Sequence, residues 1–456
     1  MEELILRFSY LSENIFNSLD NKDIANSMKV SKFWKNYLKN QKFVQIRKIK
    51  AFVEEFHSVG EAWNEVFDSA STDTIKELDH AVQEFYIRGS DLTYYEDLTP
   101  LHVAAGTGHL ILYQRILEKT EDKCPKDQRK LVPLHYAAQN GHLEVVKIII
   151  LESCCEKNPA DEVDVTPLHL AALNGHLEIC KLILENVEDK NPVDFFGSTP
   201  LHRAAMNGHL DVCKLILENL ESNKNPRNVI DDTPLHAAAT NGHYEVYELI
   251  MVHVENRSPM DIYGSTPLHS AAMDGHLDIC KLILENLEDN KNPRNDLGRT
   301  PLLLAAKNGH YDVYELIMGY VEDKNPADIY GSTPLYVAAL KGHLNICKLI
   351  LENLENNKNP RTNFGNTPLH AAARNGYYEI YELIMKQVED KNPGTDEGWT
   401  PLHEAAALGH IEICELIVKN TQDKMPKTID GRTPYDAAFE NNHLELAHYL
   451  IRATDS

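Results

Sequence analysis

Histidine is the side chain most able to do chemistry in this protein, with 22 copies among 456 residues. Eight stand in a Pro-Leu-His step and ten follow a glycine or its equivalent, so pairs such as His102 and His109 recur seven residues apart. Imidazoles at a fixed spacing are what a metal site uses. A copied structural unit leaves the same recurrence behind, with every ring hydrogen-bonded to neighbouring backbone, and that is the favoured reading. Only His57, His80, His253 and His448 fall outside the two patterns. Cys180, Cys213, Cys280, Cys347 and Cys414 share one position and read as small apolar core residues. Adjacent Cys154 and Cys155 break that pattern and read as a packed pair, with redox sensitivity as the alternative. No CxxC pair, phosphate-cradling loop, nucleophile elbow or zinc-protease helix is present. The expectation is a protein that is not an enzyme and needs neither cofactor nor metal.

The elements that position these residues are marked by proline. None of the 21 prolines precedes position 100. Eleven occupy a Thr-Pro-like step, at Pro100, Pro133, Pro167, Pro200, Pro234, Pro267, Pro301, Pro334, Pro368, Pro401 and Pro434; the other ten each follow one of these by 25 or 26 residues. The period is 33 or 34 residues, the signature of a repeat architecture. In Thr199-Pro200-Leu201-His202 the threonine can cap a helix and the proline loses no hydrogen bond at the first helical position. Gly208 supplies a left-handed stop, a second helix covers 209–220, and Asn225-Pro226 ends it. From Pro133 to Pro368 the spacing alternates 34 and 33, and residues 198–228 match 265–295 at 27 of 31 positions, so the copied unit is a pair of repeats. The extra residue of the longer spacing predicts slightly extended second helices.

Residues 261–285, DIYGSTPLHSAAMDGHLDICKLILE, resemble the ankyrin repeat almost position for position. Eleven units cover about 360 residues. The resemblance implies an all-α class of fold, an ankyrin-repeat solenoid of helix pairs with β-hairpin loops, stacked into a curved rod with a concave face. The first three repeats carry Asp97, Lys130 and Asp164 where the hairpin glycine belongs, which predicts irregular turns. The last carries Tyr435-Asp436, Phe439 and Asn442 in place of consensus residues, as a water-facing cap would; asparagine tolerates the left-handed backbone that the glycine supplied.

At the hairpin tips, where polar residues are usual, stand Phe195, Phe196, Ile230, Tyr263, Ile329, Tyr330, Phe364 and Trp399. They form a candidate client-binding ladder, unless neighbouring tips bury one another. A second variable set follows the Pro-Leu-His histidine, from Val103 through Arg203 to Glu404. In related arrays it borders the concave face, so Arg203 joins the client-binding candidates.

Residues 1–98 differ in composition. From Ile15 the chain reads IFNSLDNKDIANSMKVSKFWKNYL, with Asp20 and Ser31 placed to cap short helices. Ile15, Phe16, Leu19, Asp20, Asp23, Ile24, Val30, Ser31, Lys32 and Trp34 stand in the spacing of an F-box, and the resemblance implies a small helical F-box-like bundle. The family's opening Leu-Pro is replaced by Arg7-Phe8. The resemblance implies that Ile15, Phe16, Leu19, Ile24, Val30 and Trp34 divide between bundle core and the interface with a Skp-type adaptor of cullin-based ubiquitin ligases. Thr72 as a cap, then Ile75, Leu78, Val82, Phe85 and Tyr86 at helical spacing, predict a connector over the open end of the first repeat. The expected domains are residues 8–45 (F-box-like), 46–95 (helical connector and N-terminal cap) and 96–456 (ankyrin array).

The formal charge is −24, yet residues 1–50 carry +5, so the acidic balance belongs to the array and connector. Like charges repel nucleic acid and anionic membranes, so neither is an expected partner. No signal peptide or membrane span is legible, and the chain reads as cytoplasmic or nuclear, monomeric apart from its partners, with reduced thiols. Two functions compete: a substrate-recruiting F-box subunit of a ubiquitin ligase with the client on the array, and an ankyrin scaffold with no ligase link.

Overall fold

A computed structural model describes residues 45–46, 48–50, 61–88, 97–152, 155–288 and 290–454. The chain divides into two compact units, Met1–Asn223 and Lys224–Ser456. In the first, α1 (Glu61–Ser69) and α2 (Thr72–Arg88) precede four helix pairs, beginning with α3 (Pro100–Thr107) and α4 (Leu110–Leu117). In the second, seven pairs run from Pro234–Thr240 with Tyr244–Met251 to Pro434–Glu440 with Leu444–Thr454. Each unit is all-α among its described residues and builds an ankyrin-repeat solenoid.

One repeat shows why the sequence folds this way. Thr266 is extended at φ −107° and Pro267 opens the first helix, which Gly275 ends at φ 83°. The Thr266 amide donates to Nδ1 of His269 at 3.0 Å, leaving Nε2–H to donate to the Arg299 carbonyl of the following repeat at 3.1 Å. His276 points the other way: its Nε2 donates to the Thr240 carbonyl of the preceding repeat at 2.9 Å. Its ring lies over Gly242, where a Cβ would sit 2.6 Å from the imidazole. That glycine therefore serves both a positive φ and a close approach. Where both recurrent histidines are present, as here, they bolt the repeat forward and backward through backbone carbonyls, as the backbone-bonding reading expected.

Burial explains the two-repeat copy unit. Second helices of one kind last ten residues, as in Leu277–Asn286, and those of the other kind eight, as in Tyr311–Met318. In the second unit, fully buried Tyr247, Tyr314 and Tyr381 occupy the position where the alternate kind has buried Cys280, Cys347 and Cys414. A large and a small side chain thus alternate along packed neighbouring helices. Burial pushes the Cys180, Cys213, Cys280 and Cys347 thiols up to about 12, so they stay protonated core residues.

Ile75, Leu78, Val82 and Phe85 of α2 are buried, and Phe85 covers Gly106 of α3, where a Cβ would lie 2.5 Å from its ring. Trp63 of α1 donates its indole N–H to the Leu98 carbonyl at 2.6 Å. α1 and α2 thus pack on the first repeat, and the cap of α2 is Ser71 rather than Thr72: its Oγ accepts from the Thr74 amide. Tyr86 and Cys154 have no described side chain.

Two further expectations are corrected. The turns at Lys130 and Asp164 are regular, and Asp97, Lys130 and Asp164 all adopt φ 60–62°, the left-handed backbone that glycine supplies elsewhere. Asp127 and Leu131 close the Lys130 turn as their glycine-bearing counterparts do. Asn442 likewise keeps its turn, at φ 66°. The thiols are not all reduced: Cys124 and Cys155 form a disulfide across a Cα–Cα distance of 5.9 Å. Their loops, 31 residues apart in sequence, are brought together by the repeat stacking.

Candidate protein-interaction surface

Each hairpin starts from a polar residue that folds it. Asp328 Oδ1 accepts from the Tyr330 amide at 2.9 Å and from the Ser332 amide at 2.8 Å, a local bond pattern that suits Asp, Asn and Thr. The tip residues are then free to face outward. In the second unit their backbones form a ladder of single hydrogen bonds: Ile262 to Ile230, Asp296 to Tyr263, Ile329 to Leu297, and Asn363 to Tyr330, at 2.9–3.1 Å. No strand forms among the described residues, since one bond per neighbour is too few. At Gly331 a Cβ would lie 2.8 Å from the Asn363 amide, so glycine permits the close approach.

The side chains on this ladder remain in solvent. Tyr263 is 59% exposed, Ile329 51%, Tyr330 44% and Phe364 69%, and Ile230 is exposed beside them. The first unit carries Phe195 and Phe196, in edge-to-face contact at 5.4 Å and both exposed. Apolar side chains kept at one register of successive repeats, without covering one another, form a surface that a partner can desolvate.

Two candidates belong elsewhere. Trp399 follows the hairpin glycine, at the position of Ser332, and is half-buried with its ring 4.9 Å from His403. The true tip there is Asp396-Glu397, both exposed. Arg203 does not front a free face: its guanidinium pairs with Asp194, whose side chain is fully buried and whose other oxygen accepts from the Phe196 and Ser198 amides. Tyr136 holds Asp127 in the same way, its hydroxyl donating at 2.7 Å. The residue after the Pro-Leu-His histidine thus ties hairpin to helix at these repeats. At that position Val103, Leu304, Val337, Ala371 and Glu404 are buried, and Leu170, Ala237 and Ser270 are half-buried like Arg203. Glu404 lies 3.6 Å from Arg374, and burial raises its carboxyl pKa despite that neighbour.

An ankyrin-repeat model matches overlapping segments from residue 71 to residue 456. The chain belongs to the ankyrin-repeat family. An F-box domain model matches residues 9–45 of this ankyrin-repeat protein. No curated protein matches it. Ile15, Phe16, Leu19, Ile24, Val30 and Trp34, the F-box residues named for adaptor contact, lie outside the described residues. Both domains are protein-interaction modules, and the pairing supports an F-box-type adaptor role. Among the described residues, no helix is long and apolar enough to cross a membrane.

Proposed function

We propose that this ankyrin-repeat protein recruits a protein client on its hairpin tips and delivers it to a cullin-based ubiquitin ligase through the F-box. The observation that carries the reading is the solvent-exposed apolar ladder from Ile230 to Phe364 in a chain that also matches an F-box at residues 9–45. The mechanism is proximity: one part grips the client, the other an adaptor of Skp type, and the protein supplies no chemistry of its own. Ile15, Phe16, Leu19, Ile24, Val30 and Trp34 are the proposed adaptor contacts, with residues 8–45, 46–95 and 96–456 as head, connector and array. The acidic balance outside residues 1–50 favours a client with basic groups around an apolar contact.

Purified full-length protein mixed with a Skp-type adaptor should form a complex at micromolar concentration, and Phe16→Ala should abolish it. No complex with folded wild-type protein sinks the ligase reading and leaves an ankyrin scaffold.

A further inference from the structure

Seven histidines that follow the helix-ending glycine, His142, His176, His209, His276, His310, His343 and His410, place Nε2 on a backbone carbonyl of the preceding repeat. His109, in the first repeat, instead sets Nε2 3.1 Å from a carboxylate oxygen of Glu84 on α2. One acceptor would suffice to replace the usual carbonyl. The structure supplies more: His80, four residues before Glu84 on the same helix, turns its ring edge-on to His109 with centroids 6.2 Å apart. One ligand atom from each of His80, Glu84 and His109 lies within 4.8 Å of the other two. Among the described residues this is the one group of three such ligands.

We propose that His80, Glu84 and His109 bind a divalent transition-metal ion of the zinc class. Two imidazoles and one carboxylate suit zinc, cobalt or nickel, whereas calcium and magnesium prefer all-oxygen sites. Metal–ligand bonds of about 2.0–2.2 Å in a tetrahedron put neighbouring ligand atoms about 3.3 Å apart. Glu84 and His109 already stand near that separation, and exposed His80 closes on them by side-chain rotation. Binding replaces the Glu84–His109 hydrogen bond: the single imidazole proton moves to Nδ1 and frees the Nε2 lone pair for the ion. Three protein ligands leave a fourth position for water or a partner's side chain. The ion clamps α2 to the first repeat, on the connector that leads from the F-box segment to the array.

The test uses the full-length protein with cobalt(II) as a spectroscopic probe and zinc as competitor. One equivalent of cobalt should give visible ligand-field bands that zinc abolishes, without the thiolate-to-metal charge transfer that cysteine ligands would produce. His80→Ala should weaken binding at least about tenfold without changing the thermal midpoint of metal-free protein, since that side chain is exposed. Glu84→Gln keeps a hydrogen bond to His109 but loses the anion, and should weaken binding similarly. No binding at about 100 μM zinc, or affinity unchanged in His80→Ala, overturns the proposal and leaves Glu84–His109 as a polar cap of the array.

Discussion

His370 Nε2 lies 3.0 Å from the carbonyl oxygen of Trp399, the residue that follows the glycine of the next hairpin. The contact stitches one repeat to the next and explains why Trp399 is no tip residue: its backbone is committed to His370 and its ring to His403. Equivalent bonds join His169 to Ser198, His269 to Arg299 and His403 to Arg432. Each imidazole accepts at Nδ1 from its own cap amide and donates at Nε2, which requires the neutral form.

The array should therefore lose stability in mild acid. Burial pushes His102, His135, His169, His269 and His370 down to about 4 from the ordinary 6.5. Between those values the unfolded chain binds more protons than the folded one, so stability rises with pH across that window. It is complete above about 6.5 and is lost as pH falls through about 4. Replacing His135, His269 and His370 together with leucine, the residue found naturally at Leu303, should flatten the dependence of the thermal midpoint on pH from 6.5 to 4. Each substitution should cost about 1 kcal/mol at pH 7 for the lost hydrogen bonds. An undiminished slope would show that other groups carry the effect.

Alternating tyrosine and cysteine predicts a coupled pair. The buried Tyr314 hydroxyl donates to the Lys324 carbonyl at 2.6 Å, and Tyr314→Phe should cost about 1 kcal/mol. Tyr314→Cys opens a cavity and should cost about 3–4 kcal/mol; Cys347→Tyr overpacks and should cost about 1–3 kcal/mol. If large and small positions compensate across neighbouring helices, the double variant should recover at least about 1 kcal/mol against the sum. Denaturant unfolding of the four proteins measures the coupling, and strict additivity would refute it.

Much of this fold is legible because one physical solution is repeated eleven times. The proline phases, the capping threonines and the glycine stops each announce a backbone requirement, and the structure meets them. The misreadings arose where a residue's role depends on the folded backbone or on a partner brought close by folding rather than on the local sequence pattern. Arg203 looks like a free reader until Asp194 is seen buried beneath it. Asp97, Lys130 and Asp164 look like broken turns, yet each accepts the left-handed backbone. His80 and Glu84 are visibly one helical turn apart in sequence, but only the docking of α2 brings His109 to them. The Cys124–Cys155 pair is hidden for the same reason.

Asp232 should be a removable weakness. It stands where Ser265 and Ser332 occur in sister repeats, and burial, with Asp261 nearby, pushes its carboxyl up to about 6 from 3.8. Above pH 6 the folded state holds a disfavoured charge, whereas below about 3.8 both states are protonated and no penalty remains. Asp232→Asn should thus stabilise the protein at pH 7 by about 1 kcal/mol, a figure discounted for partial exposure, and give no gain at pH 3.5. A gain that persists in acid would mean that the carboxylate charge is not its source.

Client binding should be separable from folding at the tips. Tyr263, Tyr330 and Phe364 are exposed, and their side chains are not needed for the Asx and Thr turns or the backbone ladder that shape the hairpins. Replacing all three with serine should change stability by less than about 0.5 kcal/mol per site, because exposed apolar groups contribute little to the core. The same variant should fail to capture the proteins that wild-type chain captures from a cell lysate, since the lost aromatic area is what a partner would bury. Circular dichroism melting checks the first outcome and comparative mass spectrometry of the captured proteins the second. Undiminished capture by a folded triple variant would remove the tips from the binding surface and move it to the faces of the helices.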